Sequence, residues 1–177
     1  MEKVFPQDVL AFWFSTEQKS RWYSKDDQFD AEIRQRFLAT YEAAHAGELD
    51  EWRSTPESLL ALIILLDQFP RNMFRGSTRA FASDAHAVQL TKEGIEREFH
   101  GSLRGAQLDF FFMPLMHSES LSDHDLLAQL GHGGNRYARQ HRDIIARFGR
   151  FPHRNETLGR ESTAEEASYL ERSRASF

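Results

Sequence analysis

The sequence predicts an all-α protein, an array of about seven helices packed as antiparallel hairpins. Three observations carry this expectation. Apolar residues recur at three- and four-residue spacing along most of the chain, helix start and stop signals punctuate it at short intervals, and no two segments alternate as paired strands. With 177 residues, 40% of them hydrophobic, and 15 Phe, the chain can fill the core of a single domain spanning residues 1–177.

The elements follow in order. Residues 8–14 form a short first helix behind Pro6. In the next helix Phe29, Ile33, Phe37 and Tyr41 stand four apart, and Gly47 takes the left-handed position that ends it. Thr55 caps a third helix and Pro56 occupies its first position, ahead of the run "LLALIILL". That run is apolar on every side, which makes this the central helix. Ser83 is expected to cap the helix through "DAHAVQLTKEGIEREF". The aromatic segment "LDFFFMPLMHSES" begins as a helix that Pro114 limits. Ser122 caps "DHDLLAQLG"; the following helix sets Tyr137, His141, Ile144, Ile145 and Phe148 on one face. A capping box from Ser162 to Glu165 opens the last helix, whose final few residues fray.

Composition excludes several classes. Without cysteine there is no disulfide framework, thiolate nucleophile or cysteine-bound zinc. The longest apolar run, residues 59–66, is far below the roughly 18 residues of a membrane span. "VLAFWF" is too short for a signal sequence and lacks a basic cluster before it, so a cytoplasmic protein is expected. The net charge of −5 argues against a general nucleic-acid binder, although residues 130–160 are rich in Arg. Phosphate-loop, dinucleotide, nucleophile-elbow and zinc-protease motifs are all absent. "GHGGNRYAR" puts glycines ahead of a helix, but with no strand before them it is read as a connection.

Two corners remain that helix formation alone does not explain. "DQFPRNMFRG" follows the central helix, and "GRFPHRNETLGR" follows a later amphipathic one. Each places Phe-Pro and then Arg and Asn. Asp67 lies on the inward stripe of Leu60, Ile63 and Ile64, in a last turn whose dipole disfavours negative charge. A carboxylate there needs partners, and Arg71, Asn72 and Arg75 are the nearest donors in sequence, with Arg154 or His153 of the second corner as further candidates. Gln68, Arg71, Asn72, Arg75, Arg150, Arg154 and Asn155 are therefore candidate ligand-binding residues. Asp67, His117, Glu119 and His153 are candidate acid–base groups. These four also offer mixed oxygen and nitrogen ligands, but their spacing gives no support for a metal, and none is assigned. The plainer account is that both corners are helix stops, with Asn in the turn and Arg on exposed carbonyls. His141, on an apolar face, is read as a core histidine, and Trp13, Phe14, Trp22 and Tyr23 as packing between the first two helices.

"TPESLLALIILLDQFPRNMFRG", "AFASDAHA", "FFFMPLMHSES" and "HRDIIARFGRFPHRNETLGRESTAEE" resemble the bacterial DUF924 family, a domain of unknown function, over nearly the whole chain. The resemblance implies a tetratricopeptide-like helical fold and no established reaction. Asp67, Gln68, Pro70, Arg71, Asn72 and Arg75 match its motifs, as do Pro114, His117, Ser118, Glu119 and His141. So do Phe151, Pro152, His153, Arg154 and Asn155, whereas Met116 stands where Glu is frequent and Ser15 where Gly is. Two functions are then open. The corners and residues 117–119 can form a polar pocket for a small carboxylate or phosphate, with the cofactor, if any, unknown. Alternatively the array is an interaction module for a peptide or protein, and the corners are structural. Neither a nucleic acid nor a membrane is an expected partner.

Overall fold

A computed structural model describes residues 4–173, and no strand occurs among them. The all-α expectation is met. The last four residues, where fraying was expected, lie outside the described residues. The chain divides into two compact units: one runs to Arg75 and resumes over Arg79–Pro114, and the other comprises Gly76–Thr78 and everything from Leu115.

In the first unit α1 (Pro6–Trp13), the single turn α2 (Thr16–Lys19) and α3 (Asp27–His45) precede α4 (Pro56–Asp67). Thr55 and Ser58 close a capping box at the start of α4, and every residue from Ser58 to Asp67 is buried. The helix is a core element because α1, α3 and α6 (Asp84–Glu96) all pack on it. The stripe Phe29, Ile33, Phe37 and Tyr41 is buried on α3. At its end Gly47 has φ +79°, and the N–H groups of Gly47 and Glu48 reach the carbonyls of Ala44 and Ala43, the paired bonds of a Schellman stop. Trp13 is fully buried and stacks on Trp22 at 5.9 Å, whereas Tyr23 is 80% exposed and belongs to no core.

Pro114 does not limit α7 (Ala106–His117) but sits inside it. A proline there removes one helical bond and crowds the preceding turn, at a cost of about 3 kcal/mol. Phe110, Phe111, Phe112 and Met113 are all buried, and at about 1.5–3 kcal/mol each they outweigh it.

In the second unit α8 (Leu121–Gln129) starts behind Ser120, not Ser122, which lies within its first turn. On α9 (Arg136–Phe148) the buried face is Ala138, Ile144 and Ile145, and Tyr137 is 68% exposed. Tyr137 thus lies off the apolar face, which Ala138 opens instead. The capping box of α10 (Ala164–Ser173) is also displaced: Thr163 and Glu166 exchange the two bonds, at 2.8 and 3.2 Å, and Ser162 serves Asn155 instead.

Candidate functional site

The first corner arises where α4 gives way to α5 (Phe69–Met73). Pro70 has no N–H, so the Leu66 carbonyl four residues earlier loses its helical donor. The Ser83 hydroxyl donates to it at 2.6 Å. This is why Ser83 precedes α6 without making the side-chain cap expected of it. The next carbonyl, that of Asp67, accepts from the Arg71 guanidinium. Helix breakage inside a core thus leaves two orphan acceptors, and one hydroxyl and one guanidinium satisfy them.

The Asp67 side chain is 1% exposed, accepts from the Gln68 amide and lies 3.4 Å from Arg71 Nη1. Gln68 also reaches the Met113 sulfur at 3.2 Å. Arg71 forks onto Asp84 with two bonds of 3.0 Å. Burial opposes the Arg71 charge, but Asp67 and Asp84 outweigh it and the guanidinium holds its proton above the ordinary arginine value. Asn72 donates to Asp30 at 2.8 Å, and Arg75 grips the same carboxylate at 2.8 and 2.9 Å. The donors expected to face a ligand at this corner are therefore engaged with carboxylates of their own unit.

The second corner is built differently. Here α9 has already ended at Gly149, with φ +68° and its N–H on the Ile145 carbonyl at 2.8 Å. Phe151 is fully buried two residues later, and Pro152 opens a short 3-10 turn, Pro152–Arg154. Both peptide groups of Phe151 are held by one ion pair: its N–H donates to Glu119 at 2.7 Å, and its carbonyl accepts from Arg160 at 3.2 Å. Arg160 in turn forks onto Glu119 at 2.7 and 3.0 Å. Burial alone would raise the Glu119 carboxyl; Arg160 and the Phe151 N–H reverse this and hold it below the ordinary value. Arg150 forks onto Glu166 at 2.6 and 2.8 Å, and Asn155 donates to Ser162 at 3.0 Å. The Arg150 bond is the main reason that Glu166 is lowered to about 2.

Around the Phe151 ring the chemistry changes from carboxylates to imidazoles. The rings of His141 and His153 both lie 5.5 Å from it, His124 lies 6.3 Å from it, and the Arg154 guanidinium covers it at 4.7 Å. His117 is 6.5 Å from His141, and its carbonyl accepts from Arg154 at 3.0 Å. His141 Nδ1 meets the Tyr137 carbonyl at 2.8 Å, and His124 Nε2 meets that of Ser118 at 2.8 Å. A carbonyl only accepts, so these nitrogens carry the protons and the opposite ones are lone pairs while the rings are neutral. Burial, then the cations nearby, lowers His141; burial lowers His124 most, and both favour the neutral form. Desolvation of its ring lowers His153 first, and Arg154 lowers it next. Its outer edge still meets solvent, which weakens that effect.

The structure thus gathers His117 and His153 of the expected acid–base groups, adds His141 from the supposed core histidines, and brings in His124, which the sequence reading missed. His124 and Leu127 are buried three apart on α8, a helical spacing that could have exposed it. The arginine-rich segment carries less free charge than its sequence suggests. Arg142, Arg147, Arg150 and Arg160 pair with Asp125, Glu165, Glu166 and Glu119, all from outside it. Among the described residues no three His, Asp or Glu converge as a metal site. No helix among them is long and apolar enough to cross a membrane. Two surface depressions of the first unit, one beside Phe12 and Arg36 and one beside Val88 and Lys92, are lined by none of the expected site residues.

The comparison with curated proteins finds no match. Among solved structures, a protein of unknown function from Agrobacterium tumefaciens is 40% identical, with a TM-score of 0.88 over 94% of this chain and 97% of that one. The family model described as a bacterial protein of unknown function, DUF924, matches residues 9–174. With its motifs, its helices and nearly its whole length in agreement, the chain belongs to the DUF924 family.

Proposed function

We propose that the second unit binds a small anion, a carboxylate or a phosphate, at the imidazole cluster, and that the first corner is a structural lock. The observation that carries this reading is the grouping of His117, His141 and His153 about the Phe151 ring beside Arg154. Glu119, the carboxylate held against Phe151, is already neutralised by Arg160, so it opposes an incoming anion only weakly. Imidazoles also suit proton transfer to or from a bound molecule, which leaves room for catalysis. A cysteine-free chain suits the reducing cytoplasm, the compartment this reading assumes.

The interaction module has less support. Large exposed apolar residues among those described are Phe5, Tyr23, Leu121 and Tyr137, two in each unit, too few to make a peptide groove of a few hundred Å².

Thermal melting with inorganic phosphate, acetate and a chloride control of equal ionic strength tests the proposal. Phosphate should raise the melting temperature of the natural protein, and the shift should vanish in the folded double variant His141→Gln, His153→Gln. Shifts no larger than those of chloride would overturn it.

A further inference from the structure

We infer that a depression in the first unit holds a primary ammonium group together with its adjoining carbonyl, the chemistry of an amino-acid amide or of the first residue of a peptide. The depression has a volume of about 320 Å³. Its lining draws Asp8 and Phe12 from α1, Glu17 and Gln18 from α2, and Glu32 and Arg36 from α3.

Charge comes first. Three of these side chains are carboxylates and one is a guanidinium, so the lining carries a charge of −2. Arg36 pairs with Glu32 at 3.3 Å, and its guanidinium covers the Phe12 ring at 4.6 Å. The other Glu32 oxygen reaches Arg21 at 3.8 Å, and Asp8 accepts from the Phe5 N–H at 2.8 Å. The Glu17 carboxylate makes no hydrogen bond or ion pair among the described residues. Its one electrostatic contact is with Arg21, which Asp26 already holds at 2.8 Å. A bare metal ion does not suit this lining, because among the described residues no three His, Asp or Glu converge to ligate one. Carboxylates spread around a depression suit an organic cation, whose charge and donors occupy more space.

The second observation is a donor. Gln18 is 4% exposed and still lines the depression. Arg21 fixes which way its amide points, because Nη1 donates to Oε1 at 3.1 Å. The amide nitrogen is left with no acceptor among the described residues, and it is not sealed from solvent. A donor held in so buried a side chain calls for an acceptor. An ammonium ion supplies none, but a carbonyl attached to the ammonium-bearing carbon does. The carboxylates thus select the positive charge, and Gln18 selects the oxygen beside it. A free amino acid brings a negative charge to a lining that is already negative, so the amide or peptide form is preferred.

NMR titration of the whole nitrogen-15-labelled protein at pH about 6, where these amines are protonated, tests the inference. The probes are alaninamide, propylamine, alanine, N-acetylalaninamide and trialanine amide, and the side-chain amide signals of Gln18 report on the site itself. Alaninamide should move those signals. Propylamine, which has the charge without the oxygen, should bind about three- to tenfold more weakly. Alanine should also bind more weakly than alaninamide, and N-acetylalaninamide, which has no charge, should leave the signals in place. Glu17→Gln should weaken alaninamide about two- to fivefold. Gln18→Glu keeps an oxygen for Arg21 but offers no donor, so it should abolish the preference for alaninamide over propylamine. Tighter binding of trialanine amide than of alaninamide would assign the site to peptide ends, equal or weaker binding to the small amide, and both support the inference. Equal binding of alaninamide and propylamine to the natural protein would overturn it, as would a preference that survives in Gln18→Glu. Gln18 signals that no amine moves would overturn it as well.

Discussion

The two Phe-Pro corners share a sequence pattern and solve different problems. At the first, proline falls within the reach of a helix that is still bonding, so the break orphans the Leu66 and Asp67 carbonyls inside the core. At the second, Gly149 has already closed the helix, and proline orphans nothing in it. The first corner therefore consumes its polar side chains in repair: Ser83 and Arg71 go to carbonyls, and Arg71, Asn72 and Arg75 to three carboxylates. At the second, the Glu119–Arg160 pair holds both peptide groups of Phe151. Where proline falls relative to the last helical hydrogen bond decides how many orphaned carbonyls its polar neighbours must satisfy.

The largest effect expected from this contrast is that of Arg71→Ala. It removes a cation from beside a carboxylate with 1% exposure and a donor from the Asp67 carbonyl. A loss of about 3–5 kcal/mol in urea denaturation is expected, as when one member of a buried pair is deleted. Arg160→Ala is the matching change at the second corner. Its pair with Glu119 is about a quarter exposed on either side (23% and 28%), so about 1–2 kcal/mol is expected. Equal losses for the two variants would erase the distinction between the corners.

Next comes Ser83→Ala, at about 1–3 kcal/mol, because it strips the donor from a buried carbonyl. The explanation in terms of proline can be tested separately. Pro70→Ala restores an N–H within reach of Leu66, so the double variant should lose less than the two single variants combined. Strict additivity would mean that Ser83 is not replacing the missing proline donor.

These long-range repairs mark the limit of what the sequence discloses. The buried stripe of α3, the Thr55–Pro56 start of α4 and the stop at Gly47 were legible because each is written within about one turn of the chain. The burial of Asp67 was legible from helical phase. Its neighbourhood was not: Asp84 is 13 residues from Arg71, and Asp30 is 45 from Arg75, separations at which no periodic pattern links donor to acceptor. Nor does local grammar distinguish Ser162 from Thr163 as a cap, since both stand three residues before a glutamate. The imidazole cluster was half visible. His117, His141 and His153 lay in the motifs, but His141 was read as a core residue and His124 was not singled out at all until both rings were seen beside Phe151.

The smallest expected effect concerns pH, and it separates imidazoles from carboxylates within the second corner. Folding lowers His124, His141 and His153, so the unfolded chain binds protons that the folded chain declines. Stability must then fall as pH drops below the ordinary histidine value, about 6.5. Glu119 and Glu166 are lowered too, and their contribution is present above the unfolded carboxylate value. It disappears only at more acid pH, for Glu166 on the way down to about 2. The denaturation midpoint should therefore decline in two steps as pH is lowered from about 7.5 in buffer free of phosphate and sulfate. His141→Gln should shrink the first step by no more than about 1 kcal/mol, because the ring is only half-buried, and should leave the second unchanged. A first step of full size in that variant would place the protons on other histidines, and the second corner would then be as fixed as the first.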